Sequence, residues 1–305
     1  MIKRFFVIFI FLSFFSSCKN IKSSSLNEKT RQKTIENVKR ISESSFICSF
    51  DGISHDFIID FPKQMESSKK IPLVIMLPGY SNTADYMRFT VGFHQQANIR
   101  GYAVVYVTGS VSKYEKTGGI GWNSGIAMNG NSDVEFLVAF TKYLQNKYEF
   151  DKNRTFIAGF SNGGFMVHRL AMESGKTFRA FVCVAGKMPE KIWKNRNKKN
   201  RISFFQITGE KDAVVPKKSD GSFNNSRDPA IEDVIDYWAK SNELNSICIE
   251  NVGQGSVLSK WTSKKNRRQV WHLFVKDSYH FWPTQDINCI DANSLILDFF
   301  DSIGD

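Results

Sequence analysis

The chain has 305 residues, of which 42% are hydrophobic, 14% aromatic and 23% charged, as in an ordinary soluble globular protein. The length suits one large α/β domain and leaves little room for two. The net charge of +11 comes from local basic runs without a recognisable nucleic-acid module. We therefore predict no nucleic-acid partner and interpret the runs as solvated surface, with contact to an anionic surface or polymer as the alternative.

The N-terminal segment predicts export. Residues 1–17 contain two basic residues and an apolar run, Phe5 to Phe15, that is too short to span a bilayer. Small residues then precede Cys18, as in bacterial lipoprotein signals, where the cysteine is lipidated and becomes the mature N-terminus. We predict a membrane-anchored lipoprotein of the periplasm or cell surface, or otherwise a secreted protein. Residues 18–45 are polar and are predicted to form a tether.

Residues 46–305 are predicted to form one catalytic domain. Eight apolar, β-rich runs are candidate strands: SFICSF, HDFIIDF, PLVIML, YAVVYV, RTFIAGF, AFVCVAG, ISFFQIT and VWHLFVK. Amphipathic helices are predicted at SDVEFLVAFTKYLQNKY, PAIEDVIDYWAKSN and DANSLILDFFDSI. Continuously apolar strands alternating with helices predict an α/β fold with a mostly parallel, doubly wound sheet of about eight strands. In such sheets the active groups collect at the carboxyl ends of the strands.

The stretch GFSNG places Ser161 between a predicted strand and a predicted helix. A sharp strand-to-helix turn of the form G-x-S-x-G holds a serine hydroxyl exposed above the sheet, and the flanking glycines avoid clashes. Ser161 is therefore the candidate nucleophile. The backbone N–H of Asn162, at the start of the helix, is a candidate donor to the oxyanion that would form during attack.

A serine needs a base to become an effective nucleophile, and in this sheet type the chain order is serine, acid, histidine. Four of the five histidines are less suitable, because they precede the serine, lie on its own helix or lie inside a strand: His55, His94, His168 and His272. His280 follows the last predicted strand in DSYHFWP and is the candidate base.

The acid is expected beyond an intermediate strand. Asp212 follows ISFFQIT in the sequence GEKD, where its carboxylate can orient the imidazole of His280. Glu210 and Asp220 are the alternatives. The second oxyanion donor is expected in the loop after PLVIML, where Gly79 lets the backbone approach the substrate and the N–H of Tyr80 is the candidate.

The cysteines and histidines give no metal pattern. There is no CxxC motif and no His/Cys cluster, and no metal or other cofactor is predicted. Cys183 lies in an apolar run and is expected to be a buried thiol. Cys248 and Cys289 form a possible disulfide if the protein is exported.

The motifs PLVIMLPGYSNTA, GWNSG, SDVEFL, RTFIAGFSNGG, GEKDAVVP, YWAKSN and SYHFWP together resemble a known family. It is the exported α/β-hydrolase esterases that group polyhydroxybutyrate depolymerase-like proteins with feruloyl and acetylxylan esterases of carbohydrate esterase family one. The resemblance runs from about Phe46 to Phe300 and implies an α/β-hydrolase fold. Two places depart from the family pattern. The family's His-Gly is Pro78-Gly79 here, and its glycine-rich run before the histidine is Asp277-Ser278-Tyr279.

The resemblance and the candidate triad predict a serine esterase that hydrolyses acetyl or feruloyl esters on polysaccharide. Trp122 in GWNSG and Trp282 beyond the histidine are expected to wall the cleft, because flat aromatic faces suit sugars and phenolic acids. A polyester hydrolase similar to polyhydroxybutyrate depolymerases is the first alternative. A surface lipoprotein that binds polysaccharide without turnover is the second, and peptidase activity ranks last.

Overall fold

The computed structural model describes residues 33–63, 69–111, 119–126, 131–197, 200–215 and 227–303. The predicted signal peptide and Cys18 lie outside these residues, and so does the alternative acid Asp220. Among the helices in these ranges, every one is too short or too polar to cross a membrane.

The strands of the described part fall into one large sheet and a small ribbon. Their bounds are β1 (Glu36–Arg40), β2 (Ser45–Phe50), β3 (Ile53–Asp60), β4 (Leu73–Leu77), β5 (Ala103–Val107), β6 (Ser110–Val111), β7 (Ile120–Gly121), β8 (Thr155–Phe160), β9 (Ala180–Val184), β10 (Ser203–Gly209), β11 (Ser246–Asn251), β12 (Val257–Ser263) and β13 (Asn266–Val275). The large sheet has the order β1-β2-β3-β5-β4-β8-β9-β10-β13-β12-β11, and β6 pairs with β7.

The centre of the sheet is parallel and both edges are antiparallel. Strands β5, β4, β8, β9, β10 and β13 run in one direction. Strands β1, β2 and β3 extend one edge as an antiparallel meander, and β12 and β11 extend the other. The carboxyl ends of the six parallel strands therefore lie along one side of the molecule, where functional loops are expected.

Helices cover both faces of this sheet. Their bounds are α1 (Ala84–Val91), α2 (Phe93–Ile99), α3 (Asp133–Lys147), α4 (Asn162–Glu173), α5 (Glu190–Lys194), α6 (Ile231–Ser241), α7 (Gln285–Asn288) and α8 (Ala292–Ile303). One core joins the sheet to α3, α4 and α6, and the other joins it to α1, α2 and α8. All five residues of β4 are buried, and their side chains enter the two cores alternately. The strand is continuously apolar because both of its faces are covered.

This architecture confirms the predicted fold class. All eight predicted strands are present, and so are the three predicted amphipathic helices. The boundary of the predicted tether differs, however, because Glu36–Arg40 pairs with β2 and extends the sheet into that segment. Strands β11 and β12 were not predicted.

The four described cysteines are free thiols. Cys48 and Cys183 are buried, as expected for Cys183, whereas Cys248 and Cys289 are exposed. The possible disulfide between the last two is therefore not formed in this structure.

Candidate active site

The turn between β8 and α4 presents Ser161 at the carboxyl end of the sheet. Ser161 has φ 52° and ψ −117°, a conformation that non-glycine residues rarely adopt. Its backbone N–H donates to the carbonyl oxygen of Val184 over 3.0 Å, which fixes the turn against the neighbouring strand β9. The strained backbone and this anchor are the features expected of a nucleophile turn.

The glycines on either side of Ser161 are required by close backbone approach. A Cβ atom on Gly159 would lie 2.3 Å from the carbonyl oxygen of Gly163, and one on Gly163 would lie 2.2 Å from that of Leu77. The turn can therefore pack its helix directly onto β4 and β8 only because neither position carries a side chain.

Three side chains from three separate loops meet at this turn. His280 Nε2 lies 2.8 Å from Ser161 Oγ, and His280 Nδ1 lies 2.9 Å from Asp212 Oδ2. The Asp212 side chain is fully buried, whereas 27% of the His280 side chain is exposed. The hydroxyl, imidazole and carboxylate thus form a continuous hydrogen-bonded chain from the surface inward, which is the arrangement that activates a serine.

The carboxylate of Asp212 is held by its own loop. Its Oδ1 accepts from the backbone N–H of Val214 over 2.7 Å and of Val215 over 3.3 Å, which leaves Oδ2 facing the imidazole. The alternative acid Glu210 accepts instead from Lys276 Nζ and from the backbone N–H of Asp277. Of the candidate acids in this loop, Asp212 is therefore the one that contacts His280.

Three of the other histidines lie in the protein interior. Burial lowers the pKa of His55 to about 4, of His168 to about 3 and of His272 to about 4, so each is neutral near pH 7. His55 stacks on Phe136 and His168 stacks on Phe204. These residues supply aromatic core surface rather than proton transfer at the serine.

The loop after β4 lies beside the nucleophile turn. A Cβ atom on Gly79 would lie 3.2 Å from Phe160 Cδ1 and 3.4 Å from Ser161 Cβ. The following residue, Tyr80, has a 46% exposed side chain. This places the Gly79-Tyr80 peptide next to Ser161, on the side where an oxyanion donor was predicted.

The structure does not support the two tryptophans as cleft walls. Trp122 is 2% exposed, and its indole Nε1 donates to the carbonyl oxygen of Pro78 over 3.1 Å. Trp282 is 7% exposed and its indole Nε1 donates to Asn293 Oδ1 over 2.9 Å. Both rings are buried and each indole N–H donates to a group within the protein, so neither ring is exposed as the predicted cleft wall requires.

Exposed aromatic rings do occur on the same loops, at positions that the sequence analysis did not single out. Besides Tyr80, the side chains of Tyr279 and Phe281 are 56% and 52% exposed on either side of His280. The ring of Tyr80 lies against Gly119 and Gly121, where added Cβ atoms would lie 1.9 Å from its hydroxyl oxygen and 3.0 Å from its Cδ2, respectively. Glycine spacing in TGGIGW is the sequence signal that could have indicated a ring in this place.

Polar contacts also hold the GWNSG loop in ways that the sequence did not reveal. Asn162 Oδ1 accepts from the Trp122 backbone N–H over 2.7 Å. The N–H of Asn123 donates to Asp133 Oδ2 over 2.6 Å, and its carbonyl oxygen accepts from Arg169 Nη1 over 2.5 Å. The side chains of Asn162, Asp133 and Arg169 thus bind the loop to two helices.

A metal centre finds no support in the described part of the chain. No group of three or more His, Cys, Asp or Glu residues in those ranges is arranged to hold a metal ion.

Comparison with known proteins gives matches to hydrolases. Residues 90–198 match the model of the prolyl oligopeptidase family. A bifunctional acetylxylan esterase/xylanase of Neocallimastix patriciarum is 22% identical over 178 residues, which cover 58% of this chain and 24% of that protein. A protein of Aspergillus clavatus named "Probable feruloyl esterase C" is 33% identical over 96 residues, covering 32% and 34%. The chain thus spans about a third or less of the length of these two relatives.

The fold has a counterpart among solved structures. The acetyl xylan esterase from Aspergillus awamori superposes with a TM-score of 0.59 at 14% identity, covering 81% of this chain and 94% of that one. This likeness shows that the chain has the α/β-hydrolase fold. Together with the sequence relatives, it confirms the resemblance to α/β-hydrolase esterases that the motifs predicted.

Proposed function

We propose that this α/β-hydrolase is a serine esterase in which Ser161, His280 and Asp212 form the catalytic triad. The observation that carries the proposal is the hydrogen-bonded chain in which His280 lies 2.8 Å from Ser161 Oγ and 2.9 Å from Asp212 Oδ2. The strained turn that exposes the serine supports it further.

The proposed reaction proceeds through an acyl-enzyme. Ser161 Oγ attacks the ester carbonyl carbon while His280 Nε2 takes the hydroxyl proton, and the carbonyl electrons move to oxygen. The tetrahedral intermediate collapses as the alkoxy group leaves with the proton from His280. A water molecule then attacks the acyl carbon, gives its proton to His280 and releases the acid, and the proton returns to Ser161.

The developing negative charge needs donors on the far side of the carbonyl. The backbone N–H groups of Tyr80 and Asn162 are the proposed pair. Gly79, which precedes the first, packs against Ser161, and the second belongs to the first residue of α4, where the helix dipole favours negative charge.

For the substrate, we propose acetyl or feruloyl esters carried on polysaccharide. The names of the two sequence relatives favour these esters. The exposed rings of Tyr80, Tyr279 and Phe281 lie on the loops around Ser161 and offer flat apolar faces for sugar or phenolic rings, in place of the two buried tryptophans.

Three other functions are less favoured than the esterase. A polyester hydrolase fits the same triad, and the motif resemblance includes such enzymes. A peptidase is favoured by the family match over residues 90–198. A binding protein without turnover would need the triad to be inactive.

The decisive experiment joins labelling to a substrate panel. A fluorophosphonate probe should modify the wild type at Ser161 and should not modify Ser161→Ala. Acetylated xylo-oligosaccharide, methyl ferulate, hydroxybutyrate oligomers and a peptide amide then separate the candidates. Labelling with turnover of hydroxybutyrate alone would replace the carbohydrate-ester proposal, and absence of labelling would favour the binding protein.

We further propose that the enzyme is exported and anchored to a membrane through a lipid on Cys18, a residue outside the described ranges. Support comes from the sequence of residues 1–18. Cys18→Ser should release a correctly cleaved protein from the membrane fraction. A cleaved variant that stays membrane-bound would contradict the anchor.

A further inference from the structure

Trp122 contacts both segments that carry the proposed oxyanion donors. Its backbone N–H donates to Asn162 Oδ1 over 2.7 Å, and its carbonyl oxygen accepts from Asn162 Nδ2 over 3.3 Å. Its indole Nε1 donates to the carbonyl oxygen of Pro78 over 3.1 Å. One residue thus bonds to the turn that contains Asn162 and to the peptide that leads into Gly79 and Tyr80.

We propose that Trp122 is a positioning residue that sets the distance between the two oxyanion donors. This inference rests on the proposed function, because it assigns a role within the same site. An oxyanion hole stabilises the transition state only if both N–H groups converge on one oxygen, and a displacement of about 1 Å can cost roughly 10²-fold in rate.

The surroundings of Trp122 make it a rigid brace. The ring is buried, and the preceding strand β7 accepts a 2.7 Å hydrogen bond from the N–H of Ser81 through the carbonyl oxygen of Ile120. The next residue, Asn123, is bonded to α3 and α4 through Asp133 and Arg169. Movement of the Pro78 loop relative to α4 would therefore require breaking several buried hydrogen bonds.

The test is Trp122→Phe, which keeps an aromatic ring and removes the bond to Pro78 together with part of the indole volume. We expect kcat for p-nitrophenyl acetate to fall roughly tenfold with KM nearly unchanged, a smaller loss than the 10²–10³ of deleting a donor. Affinity for a boronic acid, whose tetrahedral adduct with Ser161 places an oxygen in the hole, should fall by the same factor.

Trp271→Phe is the matched control. Trp271 is 4% exposed and its Nε1 donates to Gln269 Oε1 over 2.8 Å on the same strand, so the change removes a similar bond away from the donors. We expect its kcat and boronate affinity to stay within about twofold of the wild type, because a general loss of one buried bond costs stability rather than transition-state binding.

Asn162→Ala tests the same interaction from the other side, because it removes the side chain that hydrogen-bonds to the Trp122 backbone. Because either change frees the donor loops, the double variant should lose little more rate than the worse single variant. Additive losses, or an unchanged boronate affinity in folded Trp122→Phe, would overturn the proposal. A wild type that neither hydrolyses esters nor reacts with fluorophosphonate would instead overturn the proposed function.

A second, independent feature lies at the opposite end of the sheet. The amino ends of β8, β9, β10 and β13 border a cleft of about 710 Å³. The basic segments that contain Arg201 and Arg267 are far apart in sequence but both border this cleft. Other cationic side chains and one carboxylate line it as well. The charged residues of the lining are Asp151, Lys152, Lys176, Arg179, Arg201, Arg267 and Arg268.

Much of this positive charge faces solvent. Arg201 pairs with Glu243, and Arg268 Nε donates to the carbonyl oxygen of Arg201 over 3.1 Å. Within the described ranges, Lys152, Lys176 and Arg268 form no ion pair with a carboxylate. A recessed site with several cations attracts ligands that carry closely spaced negative charges.

We propose that this basic cleft binds a segment of anionic polysaccharide bearing carboxylate or sulfate groups. A concave site of this volume holds several sugar units, whereas a flat membrane surface would favour protruding cations. The cleft lies at the end of the sheet away from Ser161, so it would hold the polymer without occupying the catalytic site.

The test compares two triple variants with equal change in net charge. Lys152, Lys176 and Arg268 are replaced by Gln in one, and the exposed residues Lys39, Lys142 and Lys147 in the other, with p-nitrophenyl acetate turnover as the check on folding. Polygalacturonate tests for binding of carboxylate groups, and heparin tests for binding of sulfate groups. For either polymer, Kd should rise at least about tenfold in the cleft variant and not in the other variant. Equal effects in both variants, no binding by the wild type, or binding only to phosphatidylglycerol vesicles would overturn the proposal.

Discussion

Asp212 and Glu210 lie two positions apart in one loop, and their surroundings suit them to different tasks. Asp212 is fully buried and presents one oxygen to His280 Nδ1. Glu210 remains partly exposed and pairs with Lys276 Nζ over 2.7 Å. Because a buried carboxylate can fix the imidazole tautomer and stabilise its cation, Asp212 rather than Glu210 is placed for the proposed role.

Asp212→Asn should therefore lower kcat by roughly 10³–10⁴, because the amide cannot hold the imidazole in the required tautomer. Glu210→Gln is the matched control, since it makes the same isosteric change in the same loop and should alter kcat by less than about threefold. Turnover of p-nitrophenyl acetate and circular dichroism are the measurements. Equal losses in the two folded variants would remove Asp212 from the proposed triad.

For single residues, the sequence predicted which residues lie close together better than it predicted the direction in which a side chain points. The meeting of Ser161, Asp212 and His280 followed from chain order and from loops at one edge of a parallel sheet. The side-chain directions of Trp122 and Trp282 did not follow, because an aromatic residue in a loop can face solvent or find a buried acceptor for its N–H. The partners that decide this, such as Pro78 O, become neighbours only in three dimensions.

At the level of elements, the packing of α4 against β4 and β8 fixes the position of the turn that carries Ser161. The first turn of α4 contains Gly163 and Gly164, which face different obstacles. A Cβ atom on Gly163 would lie 2.2 Å from Leu77 O, in the backbone of β4, whereas one on Gly164 would lie 2.9 Å from Cys183 Sγ, a side chain. Backbone cannot yield as a side chain can, so the two positions should differ in tolerance.

Gly163→Ala should destabilise the protein by about 1–3 kcal/mol or more, despite the better helix propensity of alanine, and should displace the serine turn. We expect a large loss of kcat together with a lower urea midpoint. Gly164→Ala, one residue away, should lose less of both. Equal stability and activity in the two variants would show that α4 can shift away from β4 without consequence.

The strands of the large sheet that the sequence analysis missed lie at its two edges. Strand β11, with the sequence SICIEN, is largely exposed on both faces, including Ile247 and Ile249, and two alternating isoleucines are too short a pattern to indicate a strand. Strand β1, with the sequence ENVKR, is equally exposed and reads as a polar linker. Pairing with β12 and β2 forms these strands, and that tertiary effect overrides weak local preference.

At the scale of the whole molecule, the two cores explain why the fold class was predictable, since continuous apolar strands need helices on both faces. The same cores contain a feature that hydrophobic periodicity does not show. Burial lowers the pKa of His55 and His272 to about 4 and the pKa of His168 to about 3. In the unfolded chain each should titrate near its ordinary value of about 6.5.

This difference predicts that stability falls on mild acidification. Between about pH 6.5 and 4 the unfolded chain binds protons at these histidines and the folded protein does not, so the free energy of unfolding rises with pH in that window and is lost as the pH falls through it. Each histidine contributes at most about 1.4 kcal/mol per pH unit. Urea denaturation at pH 7, 6, 5 and 4.5 measures the slope.

His272→Leu separates this effect from the titration of carboxylates. Within the described residues His272 Nε2 has no hydrogen-bond partner, so the change removes a titrating group without orphaning a donor or acceptor. Between pH 6.5 and 4.5, the free energy of unfolding of the variant should depend on pH less steeply, by the contribution of one histidine. Above pH 7 its plot of unfolding free energy against pH should run parallel to that of the wild type. Parallel curves over the whole range would mean that His272 binds its proton equally well in the folded and unfolded states.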